Sequence, residues 1–420
     1  MLDEQAPASK KHRSLFAFGV LGGLLAEQMV LFAIPLLIYQ NTGSLAALGL
    51  AYAVEWIPAL IAYPFAGLLA DRDGGRRLFR RSNTLRGIVL LSVASVVLLV
   101  PDLTTTALMV GGGALAVLSA PVRMCIEKMV PQLAGKRELA ATQSLVQNME
   151  LLAMALGPGL AVLGAVLVGK VWLLGLAAVV FAIAAWCWTP LPRRSAAELQ
   201  VAASGGSAAV AAELRLGLSL LVRNRPVVLL AGLNFSINLV LAVTLSINAA
   251  VVTGVFGAPE FVLAVLTTCV GFIGLINLFA TPLLLRRMPV QVLGVFGFAV
   301  LCVACLVLAV APSITIYGVA YVAALAGTAL FNIYNRTQRV RVVPSPHLGK
   351  VMGPFYLINL LSLPLGGLLV AAFGDLIGPR GLIGGLSVGL VVIGMTLLPL
   401  TLRSFRAALS NLEKLPGTSS

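Results

Sequence analysis

The chain has 420 residues, of which 59% are apolar and only 10% are charged, and its mean hydropathy is +1.01. Soluble domains carry about 25% charged residues, so this composition excludes an ordinary globular enzyme, a disordered chain and a secreted disulfide scaffold. It is typical of a polytopic membrane protein, whose outer surface faces lipid.

Twelve apolar runs approach or exceed the roughly 20 residues that cross a bilayer. We therefore predict an all-α polytopic membrane protein with twelve transmembrane helices in two pseudo-symmetric six-helix bundles. A polar and then basic stretch, 191–226, is predicted to be a cytoplasmic linker between an N-terminal bundle over 1–190 and a C-terminal bundle over 227–420. The runs cover about 14–39, 45–70, 84–100, 106–126, 139–168, 171–190, 227–253, 260–285, 290–311, 314–335, 351–373 and 381–402.

The basic residues predict an orientation. With the N-terminus inside, all of the 29 Lys and Arg residues except Lys170 and Arg380 fall on the cytoplasmic side, as the positive-inside rule requires. This indicates a multi-pass protein of the cell inner membrane with both termini in the cytoplasm. It also accounts for the net charge of +14 without a nucleic-acid partner, and it predicts contact between the basic rim and anionic lipid.

Three acidic residues lie deep in the predicted spans, where an ionisable group is costly and is a functional candidate. Glu27 is about midway along the first run, Glu55 lies about 24 Å from Asp71 at the end of the second helix, and Glu150 lies about 16 Å into the fifth. We find no Lys or Arg at these depths, so the three carboxyl groups should be protonated more readily than in water. They are the predicted proton-coupling residues; the alternative is that they only pack helices.

Polar and aromatic side chains share faces with these acids. Gln28 is adjacent to Glu27, Tyr52 and Trp56 follow the helical face of Glu55, and Gln143 and Gln147 follow that of Glu150. The second half offers asparagines, which either line a cavity or hydrogen-bond helix to helix. The predicted substrate-binding residues are Gln28, Tyr52, Trp56, Gln143, Gln147, Asn234, Asn238, Asn332, Asn335 and Asn359.

The turn after the second run combines glycine with opposite charges. Its sequence, from Gly67 through Asp71, Arg72 and Gly74 to Arg76, predicts a latch in which the aspartate caps a helix and the arginines pair with acids of neighbouring helices. The alternative is simple anchoring by positive charge.

The two halves echo each other. Arg123 precedes Pro131 by eight residues, and Arg336 precedes Pro344 by the same distance. Such internal similarity is typical of transporters built from two repeats around a central cavity. Gly157 and Pro158 in the fifth run predict a bend, because proline removes a helix hydrogen bond and glycine allows close approach. We assign Arg123, Arg336, Gly157 and Pro158 to gating with the turn residues.

No enzymatic site is apparent in the sequence. The only histidines are His12 and His347, there is no H-E-x-x-H and no P-loop, and the five cysteines lie in or beside apolar runs. We predict no cofactor and no metal site. A membrane-embedded enzyme and a receptor or scaffold are therefore the weaker alternatives.

The motifs carry a family resemblance. The run from Gly67 to Arg77 resembles the loop 2–3 signature of the major facilitator superfamily, with Gly75 where that family usually has a basic residue. Further motifs, at Pro121–Arg123, Val343–Pro344 and Pro364–Gly367, resemble the drug:proton antiporter branch that includes macrolide and enterobactin exporters.

This resemblance implies two pseudo-symmetric bundles with a substrate site near the middle of the membrane. For the branch it implies export of a small amphipathic molecule, such as a drug, a siderophore or a related metabolite, by proton antiport and alternating access. The expected partners are that substrate, protons and the bilayer, and the expected state is a monomer. Proton-coupled uptake of a small solute and transport of a lipid-like substrate remain alternatives.

Overall fold

A computed structural model describes residues 9–73, 75–134, 139–191, 207–343 and 345–413 of the chain. Within these ranges the regular structure is entirely helical. A 3-10 turn, Pro101–Leu103, precedes α4, and a π-helical turn, Ala250–Val255, continues α8. The helices are α1 Lys10–Thr42, α2 Leu45–Asp73, α3 Arg76–Leu99, α4 Thr104–Ala134, α5 Leu139–Val168, α6 Lys170–Cys187, α7 Ser207–Arg223, α8 Arg225–Ala249, α9 Glu260–Arg287, α10 Val290–Val310, α11 Ile314–Val342, α12 Ser345–Leu360 and α13 Ser362–Glu413.

The helices are long and apolar enough to span a bilayer. Among the described residues, ten helical stretches meet that criterion, and a shorter apolar stretch covers Glu260–Gly274. The last of the ten, Val351–Ser410, is interrupted at Gly378, where φ is 72° and ψ is 165°. The prediction of an all-helical, multi-pass membrane protein is confirmed, while the count of twelve spans stays a prediction.

Local sequence explains where several helices begin and end. The hydroxyl of Ser9 accepts a hydrogen bond from the His12 amide at the start of α1, and Ser313 does the same for Ile316 at the start of α11. Gly43 ends α1 with a φ of 62°, a conformation that glycine adopts without steric cost. These caps satisfy backbone groups that a helix end leaves without a partner.

The described chain forms two compact units. The first unit contains the described residues of Met1–Gly206 together with Val252–Phe272. In it α1 packs on α5 and α6, α2 packs on α4, and α3 packs on both α4 and α6. Its core centres on Trp188, whose ring stacks on Phe79 at 3.5 Å between centroids and lies 5.3 Å from the ring of Phe16.

The second unit contains the described residues of Ser207–Val251 and of Ile273–Ser420. In it α10 packs on α11, and α13 packs on both α8 and α10. The later part of the stretch predicted as a linker is helical, as α7, and α7 packs on α12. The predicted division of the chain at 191–226 stays a prediction.

Close backbone contact between α10 and α11 depends on two glycines. A Cβ at Gly327 would lie 2.7 Å from the carbonyl oxygen of Gly297 and 2.7 Å from the amide nitrogen of Leu301. Backbone atoms cannot rotate away as a side chain can, so any larger residue must separate the helices.

We therefore expect Gly327→Ala to lower the free energy of unfolding by about 1–3 kcal/mol. Gly385→Ala, in the same unit, is the matched control because a Cβ at Gly385 has no neighbour within 4 Å, and it should be neutral or slightly stabilising. Thermal unfolding of the detergent-purified variants measures both. Equal stability of the two variants would show that the close backbone contact between α10 and α11 does not determine the free energy of unfolding.

Candidate functional site

A buried cluster of charges occupies the first unit. Glu27 on α1 accepts a hydrogen bond from Arg86 of α3 at 2.9 Å and another from Arg123 of α4 at 3.2 Å. The Arg86 side chain is only 3% exposed, whereas that of Arg123 is 43% exposed and that of Glu27 is 17% exposed. One carboxylate thus pairs with one fully buried and one partly exposed guanidinium, and the three groups together carry one excess positive charge.

The position of Arg86 corrects an expectation from the sequence. The charge pattern places Arg86 in the basic cytoplasmic rim, but it lies ten residues beyond Arg76 at the start of α3, or about 15 Å along the helix. Its guanidinium also lies 4.1 Å from the centre of the Phe181 ring, a favourable cation–π contact. The expectation that Glu27 has no basic partner at its depth is therefore wrong.

Glu55 on α2 differs from Glu27 in having no partner among the described residues. Among the described residues no side chain or backbone group forms a hydrogen bond or an ion pair with its carboxyl group, which is half-buried and within electrostatic range of Glu27. The indole nitrogen of the adjacent Trp56 is also buried without a hydrogen bond in the described part of the chain. The rings of Tyr52 and Trp56 lie 6.2 Å apart, so an aromatic pair flanks this acid on α2.

Glu150 on α5 lies on a helix face with exposed polar side chains. It is half-buried and within electrostatic range of Arg123 and Glu127. Gln143 and Gln147, predicted to share its helix face, are exposed, and Gln143 approaches the Glu127 carboxylate at 3.5 Å. The side chains of Glu150, Gln143 and Gln147 are therefore accessible to a solute.

Two predicted residues of α1 and α5 meet directly. A Cβ at Gly157 would collide with the aliphatic part of the Gln28 side chain, so the glycine is what allows this contact. Pro158 lies inside α5, where it removes one helical hydrogen bond. The predicted substrate-binding and gating residues thus adjoin here.

The predicted latch is only partly described. The side chains of Asp71 and Arg72, the surroundings of Gly67 and the whole of Gly74 lie outside what the structure describes. Arg76 donates hydrogen bonds to the carbonyl oxygens of Trp188, at 3.1 Å, and of Thr189. Arg76 therefore binds backbone carbonyl groups just beyond the C-terminal end of α6, where a cation is favourable.

Three of the predicted asparagines form a buried chain of hydrogen bonds in the second unit. Asn335 donates to Asn234 at 2.8 Å, and Asn234 donates to Asn359 at 2.7 Å. The Asn359 amide in turn donates to the carbonyl oxygen of Phe355 at 2.6 Å. This chain ties α11, α8 and α12 together, while Asn238 and Asn332 are half-buried and have no hydrogen bond within the described ranges.

The second unit also contains polar residues that sequence reasoning did not assign to the site. Gln338 is fully buried, and neither of its amide atoms has a partner in the part of the chain that the structure describes. Arg339 is buried beside it, with its guanidinium 4.1 Å from the centre of the Phe355 ring. Arg336, predicted to take part in gating, is exposed and forms no ion pair with any described residue.

A second ionic cluster joins three helix ends of the first unit. Lys170 at the start of α6 pairs with Glu260 at the start of α9 and donates to Gln40, near the end of α1, at 3.1 Å. The Gln40 amide also donates to Glu260. A lysine at a helix N-terminus is unfavourable by itself, so the carboxylate of Glu260 compensates for its position and fastens the segment Val252–Phe272.

Reversing one charge tests this fastening. In Lys170→Glu two carboxylates face each other, so amide hydrogen exchange in Val252–Phe272 should rise relative to the same protein's α10. Combining it with Glu260→Lys restores opposite charges and should return the exchange toward that of the parent protein. Unchanged exchange in Lys170→Glu would contradict a role for the ion pair.

The described residues contain no group of three or more His, Cys, Asp or Glu side chains arranged to hold a metal ion. All five cysteines are free thiols.

Comparisons with known proteins agree with the architecture. The family model for the Major Facilitator Superfamily matches residues 16–367. A search of curated proteins gives no match. Solved structures with a similar fold include the nucleoside transporter NupG, at a TM-score of 0.74 and 14% identity, with 94% of this chain and 99% of that chain covered.

Two further similar structures are those of POT transporters. The peptide transporter POT in complex with sulfate has a TM-score of 0.68 and 14% identity, covering 96% of this chain and 97% of that one. A POT family transporter in complex with 5-aminolevulinic acid has a TM-score of 0.68 and 11% identity, covering 93% and 96%. At these identities the similarity establishes the fold, and the family match establishes more: the chain belongs to the major facilitator superfamily and is a secondary transporter, not an enzyme.

Proposed function

We propose that the protein exports a small amphipathic molecule in exchange for protons, by alternating access. The observation that carries this proposal is the contrast between two acids in one unit. Glu27 is held by two arginines, whereas Glu55 has no partner among the described residues. A site that moves protons needs a group that changes charge beside groups that do not.

The two arginines keep Glu27 ionised, because protonating it would leave Arg86 buried without a counter-charge. Glu55 has the opposite balance: without a cation of its own, its neutral form is favoured in a low-dielectric surrounding. We assign the exchangeable proton to Glu55, with Glu150 as a second carrier on the wetter side. Glu27 then maintains the charge of the cluster and is not the group that titrates.

The predicted substrate residues suit an amphipathic molecule. Tyr52 and Trp56 provide aromatic surface next to Glu55, and a cationic substrate would compete with the proton for that carboxylate. This competition couples the movement of substrate to that of protons, because substrate binding releases the proton and protonation releases the substrate. The polar groups on Gln28, Gln143 and Gln147 would orient the molecule.

The direction of transport rests on the resemblance to the drug:proton antiporter branch. The second candidate is proton-coupled uptake of a small solute. The solutes to consider are nucleosides and peptides, the classes that the similar structures are named for. We further propose twelve spans, counting the stretch broken at Gly378 as two and adding the helix that begins at Glu260 to the ten stretches. We also propose a monomeric state and an inner-membrane location with both termini in the cytoplasm.

Proteoliposomes with an imposed pH gradient test this function. The probes are ethidium and erythromycin for export, and uridine and dialanine for the alternative. We expect the gradient to drive ethidium or erythromycin toward the acidic compartment, opposite to the movement of protons. Accumulation of uridine or dialanine in the alkaline compartment, with no movement of the other two, would replace export by proton-coupled uptake.

A further inference from the structure

The outward face of α3 combines arginines with an apolar stripe. Arg77, Arg80 and Arg81 line a surface cavity of about 580 Å³ together with Thr84 and Leu85. Their spacings of three, four, seven and eight residues place all five on one side of the helix. None of the three arginines forms an ion pair with a carboxylate in the described part of the chain.

The same face continues as exposed apolar surface. Leu85, Ile88 and Leu91 are each about half exposed, while Phe79, Leu90 and other residues on the opposite face are buried. We call the exposed trio the α3 stripe. In a membrane protein an exposed apolar surface of this kind lies against the acyl chains of the lipids, which take the place of a protein partner.

The dimensions match one phospholipid. Ten residues separate Arg81 from Leu91, which is about 15 Å along a helix and about half the 30 Å thickness of a bilayer's hydrocarbon core. A lipid with its phosphate at the arginines would therefore extend its acyl chains along the α3 stripe to the middle of the membrane. Arginine binds phosphate through two parallel hydrogen bonds.

We propose that Arg77, Arg80 and Arg81 form a binding site for an anionic phospholipid. The lipid belongs to the leaflet on the side of the membrane where α1 begins. The three positive charges select a lipid with net negative charge, and Thr84 adds a hydroxyl donor to the same cavity, about one helical turn beyond Arg81. The site differs from the Glu27 cluster, because Arg86 lies on the buried face of α3 and the three arginines lie on its exposed side.

Native mass spectrometry of the full-length protein in detergent tests the site with dioleoyl phosphatidylglycerol and dioleoyl phosphatidylethanolamine as probes. The parent should bind the first more tightly. Replacing all three arginines (Arg77→Gln, Arg80→Gln, Arg81→Gln) should weaken phosphatidylglycerol binding by about a hundredfold. The reason is that each basic residue near an anionic surface contributes about 1 kcal/mol, and 1.4 kcal/mol is a factor of ten.

The matched control removes the same charge elsewhere. Arg287→Gln, Arg403→Gln and Arg406→Gln change exposed arginines on α9 and α13, and this triple variant should retain the parent affinity. Equal losses in the two triple variants would mean general electrostatic attraction and overturn the proposal, as would equal binding of the two lipids.

Competition with inorganic phosphate distinguishes a lipid site from a site for the free anion. Phosphate should not compete with phosphatidylglycerol at equal concentration, because it lacks the acyl chains that the α3 stripe contacts. Effective competition would overturn a lipid site.

Single substitutions keep the site testable if the triple variant does not fold. Each of the three single Arg→Gln variants should lose about fivefold in phosphatidylglycerol affinity. Unchanged affinity in all three single variants would also overturn the proposal.

Discussion

Glu55→Gln should reduce proton-driven transport of ethidium to the level of protein-free liposomes, and it should also weaken exchange of labelled for unlabelled ethidium. Glutamine keeps the size and hydrogen-bonding capacity of the side chain but cannot gain or lose a proton. The variant therefore lacks both the proton carrier and the charge that binds a cationic substrate. Ethidium flux driven by a pH gradient measures the first activity, and exchange of labelled for unlabelled ethidium without a gradient measures the second.

Asp102→Asn is the matched control for this prediction. Asp102 is an exposed acid in the 3-10 turn before α4, so its neutralisation removes the same charge far from the Glu27 cluster and should leave both activities at the parent level. Full gradient-driven transport by Glu55→Gln would move the proton carrier to another residue, and Glu150→Gln would then be the variant to measure.

Removing the charge of Glu27 should have a mainly structural effect. Glu27→Gln leaves the guanidinium of Arg86, which is 3% exposed, without a counter-charge, and breaking a buried ion pair in this way costs about 3–5 kcal/mol. Arg86→Gln should cost less than Glu27→Gln, because the Glu27 carboxylate keeps its ion pair with Arg123 at 3.2 Å. Arg123→Gln should cost about 1 kcal/mol or less, because that arginine is 43% exposed and the ion pairs of exposed groups contribute little.

The double variant Glu27→Gln with Arg86→Gln provides the decisive comparison. It removes the charge of Arg86 together with that of Glu27, so it should be more stable than Glu27→Gln alone, which demonstrates coupling between the two side chains. Thermal unfolding of the purified proteins supplies the values. Additive losses in the double variant, or equal losses for Arg86→Gln and Arg123→Gln, would contradict the proposed charge balance.

The helices were largely predictable because apolar run length determines them in lipid. The predicted run 290–311 corresponds to α10 at Val290–Val310, and the run 171–190 corresponds to α6 at Lys170–Cys187. The extension of α3 to Arg76 was less apparent. Its first turns are rich in arginine, so hydropathy alone begins the span several residues too late.

The candidate site was predictable in composition but not in pairing. Glu27 and the asparagines were visible as polar residues inside apolar runs. Glu27 and Arg86 are 59 residues apart, and Lys170 and Glu260 are 90 apart, so helix packing alone brings them together. One feature of the sequence does indicate this pairing. Arg86 falls inside the third apolar run, where a basic residue is a candidate partner for a deep acid.

The direction in which protons and substrate cross the membrane is the central claim, and lumenal pH reports it. Liposomes loaded with ethidium and a pH-sensitive dye are diluted into ethidium-free buffer of the same pH, with the membrane potential held at zero. Antiport predicts that the lumen becomes acidic as ethidium leaves and protons enter, and that Glu55→Gln abolishes this change. A lumen that becomes alkaline, or stays constant while ethidium leaves through the parent protein, would contradict proton-coupled export.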